Sequence, residues 1–84
     1  MANENANLNV TWNGENGNLP DPVPYNLTDQ QVIEIAEEAV KNGDIPGINV
    51  DPNVDFDGFV VDRFNEQGDL GARIFLRSKV PFGS

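Results

Sequence analysis

The chain has 84 residues, 38% of them apolar and 23% charged, which allows one small domain with an adequate but not a rich core. It contains no His and no Cys, which excludes disulfide frameworks and thiolate metal sites and removes the usual bases and nucleophiles, so neither an enzyme nor a cofactor is expected. The formal net charge of −9 is uneven: residues 1–60 hold eleven acids against Lys41 alone, while residues 61–84 hold Asp62, Glu66 and Asp69 against Arg63, Arg73, Arg77 and Lys79. Such a surface repels nucleic acid over most of its area and keeps a small protein monomeric.

Residues 1–6 read as a disordered tail, and 7–82 as a single domain. The N-terminal residues lack the basic and apolar regions of a secretory signal, and no apolar run approaches the ~18 residues of a membrane span, so a cytoplasmic protein is expected. Leu8, Val10 and Trp12 alternate with Asn9, Thr11 and Asn13, the period-two pattern of a half-buried strand. Trp12 is expected beneath the helix, near Ile35 or Ala36. Asn13-Gly14 signals a turn, and Asn16-Gly17 repeats the signal. Leu19 to Tyr25 carries Pro20, Pro22 and Pro24, which limits it to a short edge strand or a polyproline-like crossing.

One helix is fully punctuated, about 29–42. Thr28 is the expected N-cap, Gln31 completes a capping box, and Leu27 and Val32 occupy the staple positions. Gly43 supplies the left-handed stop. Val32, Ile35, Ala36 and Ala39 form an apolar stripe widened by Ile33 and Val40, with Glu34, Glu37, Glu38 and Lys41 opposite. A loop through Asn49–Asp57 follows, and then a hairpin of 59–64 with 72–79. In its second strand Ile74, Leu76 and Val80 point one way with Ser78, and Arg73, Phe75, Arg77 and Lys79 point the other. The order strand, short extended segment, helix, strand, strand predicts an α+β fold. The specific expectation is a ubiquitin-like β-grasp roll, one helix packed on a mostly antiparallel four-stranded sheet with the first strand central beside the last.

The run Trp12-Asn13-Gly14, Leu19-Pro20-Asp21-Pro22 and Leu27-Thr28-Asp29-Gln30-Gln31-Val32 resembles the bacterial ubiquitin-like PRTRC system protein C family over residues 10–32. That resemblance implies a β-grasp fold encoded in a mobile element, near an activating-enzyme-like protein that would be a candidate partner. Ubiquitin-like carriers end in Gly-Gly, whereas this chain ends Pro81-Phe82-Gly83-Ser84, so use of Gly83 as a conjugation terminus would require removal of Ser84.

Chemistry-bearing motifs are sparse. Ser78 and Ser84 are the only serines, and no imidazole can activate either. Asp51, Asn53, Asp55 and Asp57 before Gly58 match the first half of an EF-hand loop, but Phe64 stands where the bidentate Glu belongs and no helix precedes the loop. These four are weak metal candidates, and turn-forming side chains are the simpler explanation. The cations Arg63, Arg73, Arg77 and Lys79 around Phe75 form the candidate partner-binding face. The sequence reading is therefore a non-enzymatic ubiquitin-like module that binds a protein partner through its exposed sheet face. The alternatives are an acidic nucleic-acid-mimic inhibitor from a phage or mobile element, and a C-terminally activated carrier or modifier.

Overall fold

The computed structural model describes residues 5–65 and 71–78. Its elements in chain order are β1 (Asn5–Trp12), β2 (Glu15–Asn18), β3 (Val23–Pro24), α1 (Asp29–Asn42), β4 (Val60–Phe64) and β5 (Ala72–Arg77). They make an α+β fold with one helix and one sheet of five strands, ordered β2-β1-β5-β4, with β3 also paired to β1. The sheet is mixed rather than mostly antiparallel and four-stranded: β1 runs parallel to β5, the other pairings are antiparallel, and β3 is the fifth strand. The parallel pair arises because the chain must cross the sheet through α1 before it returns beside its first strand.

Period-two alternation sets the inner face. Ala6, Leu8 and Val10 of β1 lie opposite Ala72, Ile74 and Leu76 of β5 in register, and all six are buried. Ala6 places the last two residues of the expected tail, 5 and 6, inside the sheet instead; residues 1–4 lie outside those described. Asn13 (φ 55°) and Gly14 (φ 81°) both adopt the left-handed region and join Trp12 to its partner Glu15 by a two-residue turn.

Asn16-Gly17, the second expected turn, is strand. Gly17 pairs with Val10 and is glycine for a different reason: a Cβ there would collide with the Pro46 carbonyl and come within 2.8 Å of the Ile45 side chain. The contact is reciprocal, since a Cβ on Gly47 (φ 95°) would lie 2.6 Å from the Asn16 carbonyl oxygen. Glu15 completes the tie by accepting from the backbone and side-chain nitrogens of Asn49 at 2.9 and 2.8 Å. The proline-rich segment is, as expected, a short edge strand, held by pairing with Asn5 and Ala6 and by a 2.9 Å bond from Leu19 N to the Leu8 carbonyl.

The helix begins and ends where its sequence signals place it. Thr28 Oγ1 accepts from Gln31 N at 3.1 Å, and Gln31 Oε1 accepts from Thr28 N at 3.0 Å. At the other end Gly43 (φ 74°) donates to Val40 O, and Asp44 donates to Ala39 O, the paired bonds of a Schellman stop. Val32, Ala36, Ala39 and Val40 are buried against the sheet, with Ile33 and Ile35 half-buried beside them.

The segment after the helix contributes more than a connecting loop. Ile45, Ile48, Val54 and Phe56 are all buried, and Phe56 is the largest fully buried side chain of the described residues. Trp12 lies on the same strand face as Leu8 and Val10, but at the strand end. It is half-buried against the core, and its ring packs with Phe56 and Phe59 at centroid distances of 5.2 and 5.9 Å. Its indole Nε1 donates to Asp51 at 2.9 Å, so the 51–59 segment closes over this end of the core. Among the described residues no helix is long and apolar enough to cross a membrane.

Candidate functional site

The outer face of the β4–β5 pair is built by the same alternation that buries the inner one. In register, Val60 lies opposite Arg77, Asp62 opposite Phe75, and Phe64 opposite Arg73. With Ala72, Ile74 and Leu76 turned to the core, Arg73, Phe75 and Arg77 are brought together on the opposite surface as their spacing predicts. They line a hollow of about 240 Å³ with Asp62 and Phe64.

Phe64 is a member of this face that the sequence reading missed. It is 45% exposed and meets Phe75 edge-on at 5.4 Å between centroids. The Arg73 guanidinium lies over the Phe64 ring, 5.4 Å from its centroid. The Arg73 Nε is shielded from solvent and has no acceptor among the described residues. Arg77 forms an ion pair with Asp62 diagonally across the two strands. Once pairing with β5 turns Asp62 outward, the period-two spacing of Val60, Asp62 and Phe64 puts Phe64 on the same face.

Arg63 is not part of it. It pairs in register with buried Ile74, so its side chain leaves β4 on the helix side. There it donates to Asp29 Oδ1 at 2.7 Å and to the Leu27 carbonyl at 2.6 Å. It thus clamps the helix N-terminus to the sheet, using an acid in the first helical turn and a backbone carbonyl just before the cap. Adjacent residues on a strand face opposite ways, so Arg63 cannot join Asp62 and Phe64 on one surface. Lys79 and Gly83 lie outside the described residues.

The outer face continues into β1 and β2 as amides. Asn7 and Asn9 sit beside Arg73 and Phe75, and the Asn9 side chain exchanges hydrogen bonds with Asn16 at 2.7 and 3.1 Å and donates to Asn18 at 2.8 Å. This network is polar and self-satisfied, so the aromatic and cationic character of the face is confined to β4 and β5.

The metal candidates do not assemble as ligands. Asp51 accepts from Trp12 Nε1 with one carboxylate oxygen and from Asn53 N with the other, while Asp55 accepts from Asp57 N at 2.9 Å. The last two contacts are Asx turns, in which the side chain folds back on its own backbone two residues on. Among the described residues no group of three or more Asp, Glu, His or Cys side chains is arranged to hold a metal ion.

Comparison of the chain with protein-family models, with curated proteins and with solved structures finds no match.

Proposed function

We propose that this chain is a non-enzymatic β-grasp interaction module that binds a protein partner through the outer face of β4 and β5. The observation that carries the reading is the pairing of two aromatic rings, Phe64 and Phe75, with two arginines, Arg73 and Arg77, on one surface. Aromatic and arginine side chains supply most of the binding energy at protein interfaces, and Lys-poor, Arg-containing aromatic patches are typical of their centres. The β-grasp assignment is supported by a single helix crossing a sheet in which the first strand lies parallel to the last. The resemblance of residues 10–32 to the PRTRC system protein C family belongs to the same proposal.

The test uses Phe64→Ala, Phe75→Ala and Arg73→Glu in binding assays against proteins captured by the wild-type chain from its source cell. Each variant is expected to lose the captured partner while keeping the wild-type circular dichroism spectrum. Retention of the partner by all three variants would overturn the reading. Loss on Glu34→Lys with retention by Phe75→Ala would instead favour the acidic helix surface and the nucleic-acid-mimic alternative.

A further inference from the structure

A second surface lies on the opposite side of the molecule, and it carries a different chemistry. A groove of about 650 Å³ runs between α1 and the segment after β2, lined by Leu19, Pro20, Ile35 and Ala39 together with four carboxylates, Asp21, Glu34, Glu38 and Asp44. Ala39 is buried and Leu19 and Ile35 are half-buried, whereas all four acids are exposed. The groove therefore has an apolar floor and an anionic rim. Its walls are fixed by bonds already described, from Leu19 N to Leu8 O on one side and from Asp44 N to Ala39 O at the helix end on the other.

The rim charges are not neutralised among the described residues. Glu34 accepts only from the Gln30 amide at 3.2 Å, and Glu38 only from the Asn42 amide at 3.3 Å. The two ion pairs found there use Asp29 and Asp62, which belong to other surfaces.

We infer that this groove is a docking site for a short peptide segment of a partner protein, one that places aliphatic side chains between Lys or Arg residues. The aliphatic groups would cover the floor, and the cations would meet the rim carboxylates. Charge complementarity selects this occupant. A second copy of the chain, at −9, would bring acids to acids, and an anionic lipid surface would be repelled in the same way. The volume falls in the range of ligand-sized clefts, which suits a few side chains rather than a whole domain face. This inference rests on the groove alone and is independent of the sheet-face reading.

The experiment is a fluorescence-anisotropy titration at low and at physiological salt, with a labelled peptide of about eight residues alternating Lys and Leu. Two control peptides replace every Leu by Ser or every Lys by Glu. The Lys/Leu peptide is expected to bind, and both controls are expected to bind at least tenfold more weakly. Glu34→Gln combined with Glu38→Gln should weaken the Lys/Leu peptide by about tenfold at low salt, because two exposed charges are removed without loss of volume. Ile35→Ser should weaken it while the helix spectrum is kept. Phe75→Ala should leave it unchanged, which separates this site from the sheet face. Amide chemical-shift changes in the wild-type protein should fall at residues 19–21, 34–39 and 44, a readout that does not depend on any variant folding. Equal binding of the Lys/Ser peptide, shift changes centred elsewhere, or no binding of the Lys/Leu peptide would each overturn the inference.

Discussion

Replacing Phe56 by Ala tests the claim that the segment after the helix is part of the core and not a surface loop. Phe56 is fully buried, and it packs edge-on against Trp12 and Phe59 at 5.2 and 4.9 Å between ring centroids. Truncation removes the ring, leaves a cavity beneath the 51–59 segment and ends two aromatic contacts, and a buried Phe→Ala change costs about 3–5 kcal/mol. Its backbone N–H, which donates to Glu37 Oε2 at 3.0 Å, survives the substitution, so the loss measures packing alone. At ~0.05–0.15 kcal/mol per residue, a domain of this size has roughly 4–13 kcal/mol of stability in total, so the substitution removes about a quarter of it or more. Phe56→Leu, which keeps most of the volume, should lose only about 1–1.5 kcal/mol. Urea titration followed by Trp12 fluorescence and by far-ultraviolet circular dichroism reads both. For a urea slope of about 1 kcal/mol/M, the Ala variant should move the midpoint down by ~3 M or more. A shift smaller than that of Phe56→Leu would refute the reasoning, because the ring would then contribute nothing that a smaller side chain could not.

Other substitutions probe single contacts by the same melts. Thr28→Ala should cost about 1 kcal/mol through loss of the cap bond to Gln31 N; an unchanged midpoint would mean the cap contributes nothing. Gly17→Ala should cost about 1–3 kcal/mol despite the better strand propensity of Ala, because its Cβ collides with the Pro46 carbonyl; a neutral or stabilising result would show that the 45–47 segment can retreat freely. Arg63→Ala should destabilise by about 1 kcal/mol, mostly through the lost bond to the Leu27 carbonyl, since Asp29 is largely exposed and its ion pair counts for little; loss of partner binding at unchanged stability would return Arg63 to the binding face. Asp51→Ala should raise the solvent exposure of the Trp12 indole by freeing the 51–59 segment at its edge, seen as a red-shifted emission maximum; an unchanged spectrum would mean that the bond to Asp51 does not hold the ring.

The helix was legible from the sequence because its signals are local: Thr28, Gln31 and Gly43 act within one turn of the residues they cap. The inner and outer faces of β5 were legible too, since Ala72 to Arg77 alternates without interruption. Three features were not, each because its cause lies elsewhere in the chain. Gly17 reads as a turn residue beside Asn16, yet its requirement comes from a backbone about thirty residues away that approaches too closely for a side chain. Phe56 sits among turn-forming Asp residues, and only the approach of Trp12 and the anchoring of its N–H to Glu37 on the helix draw it inward. Arg63 and Phe64 lie in Val60–Phe64, where adjacent Val60 and Val61 give no clean alternation, so pairing with β5 had to decide which face each takes.

That decision separates the two candidate surfaces chemically as well as spatially. The sheet face carries Arg73, Arg77, Asp62 and two aromatic rings, so charge there is nearly balanced. The helix groove carries four carboxylates over small aliphatic groups, and no described cation lines it. Turning Arg63 inward sharpens the contrast, because it takes one cation off the sheet face and spends it on Asp29 at the helix N-terminus, where it anchors structure and neutralises no part of the groove. Salt should therefore act differently on the two. Binding at the groove, driven by unpaired charge, weakens steeply as the Debye length shrinks from ~30 Å at 0.01 M to ~8 Å at 0.15 M ionic strength. Binding at the sheet face, driven by burial of Phe64 and Phe75, changes little over the same range, since the hydrophobic contribution is not screened. A partner that engages both surfaces would show a salt dependence set by the groove and a residual affinity set by the aromatic pair.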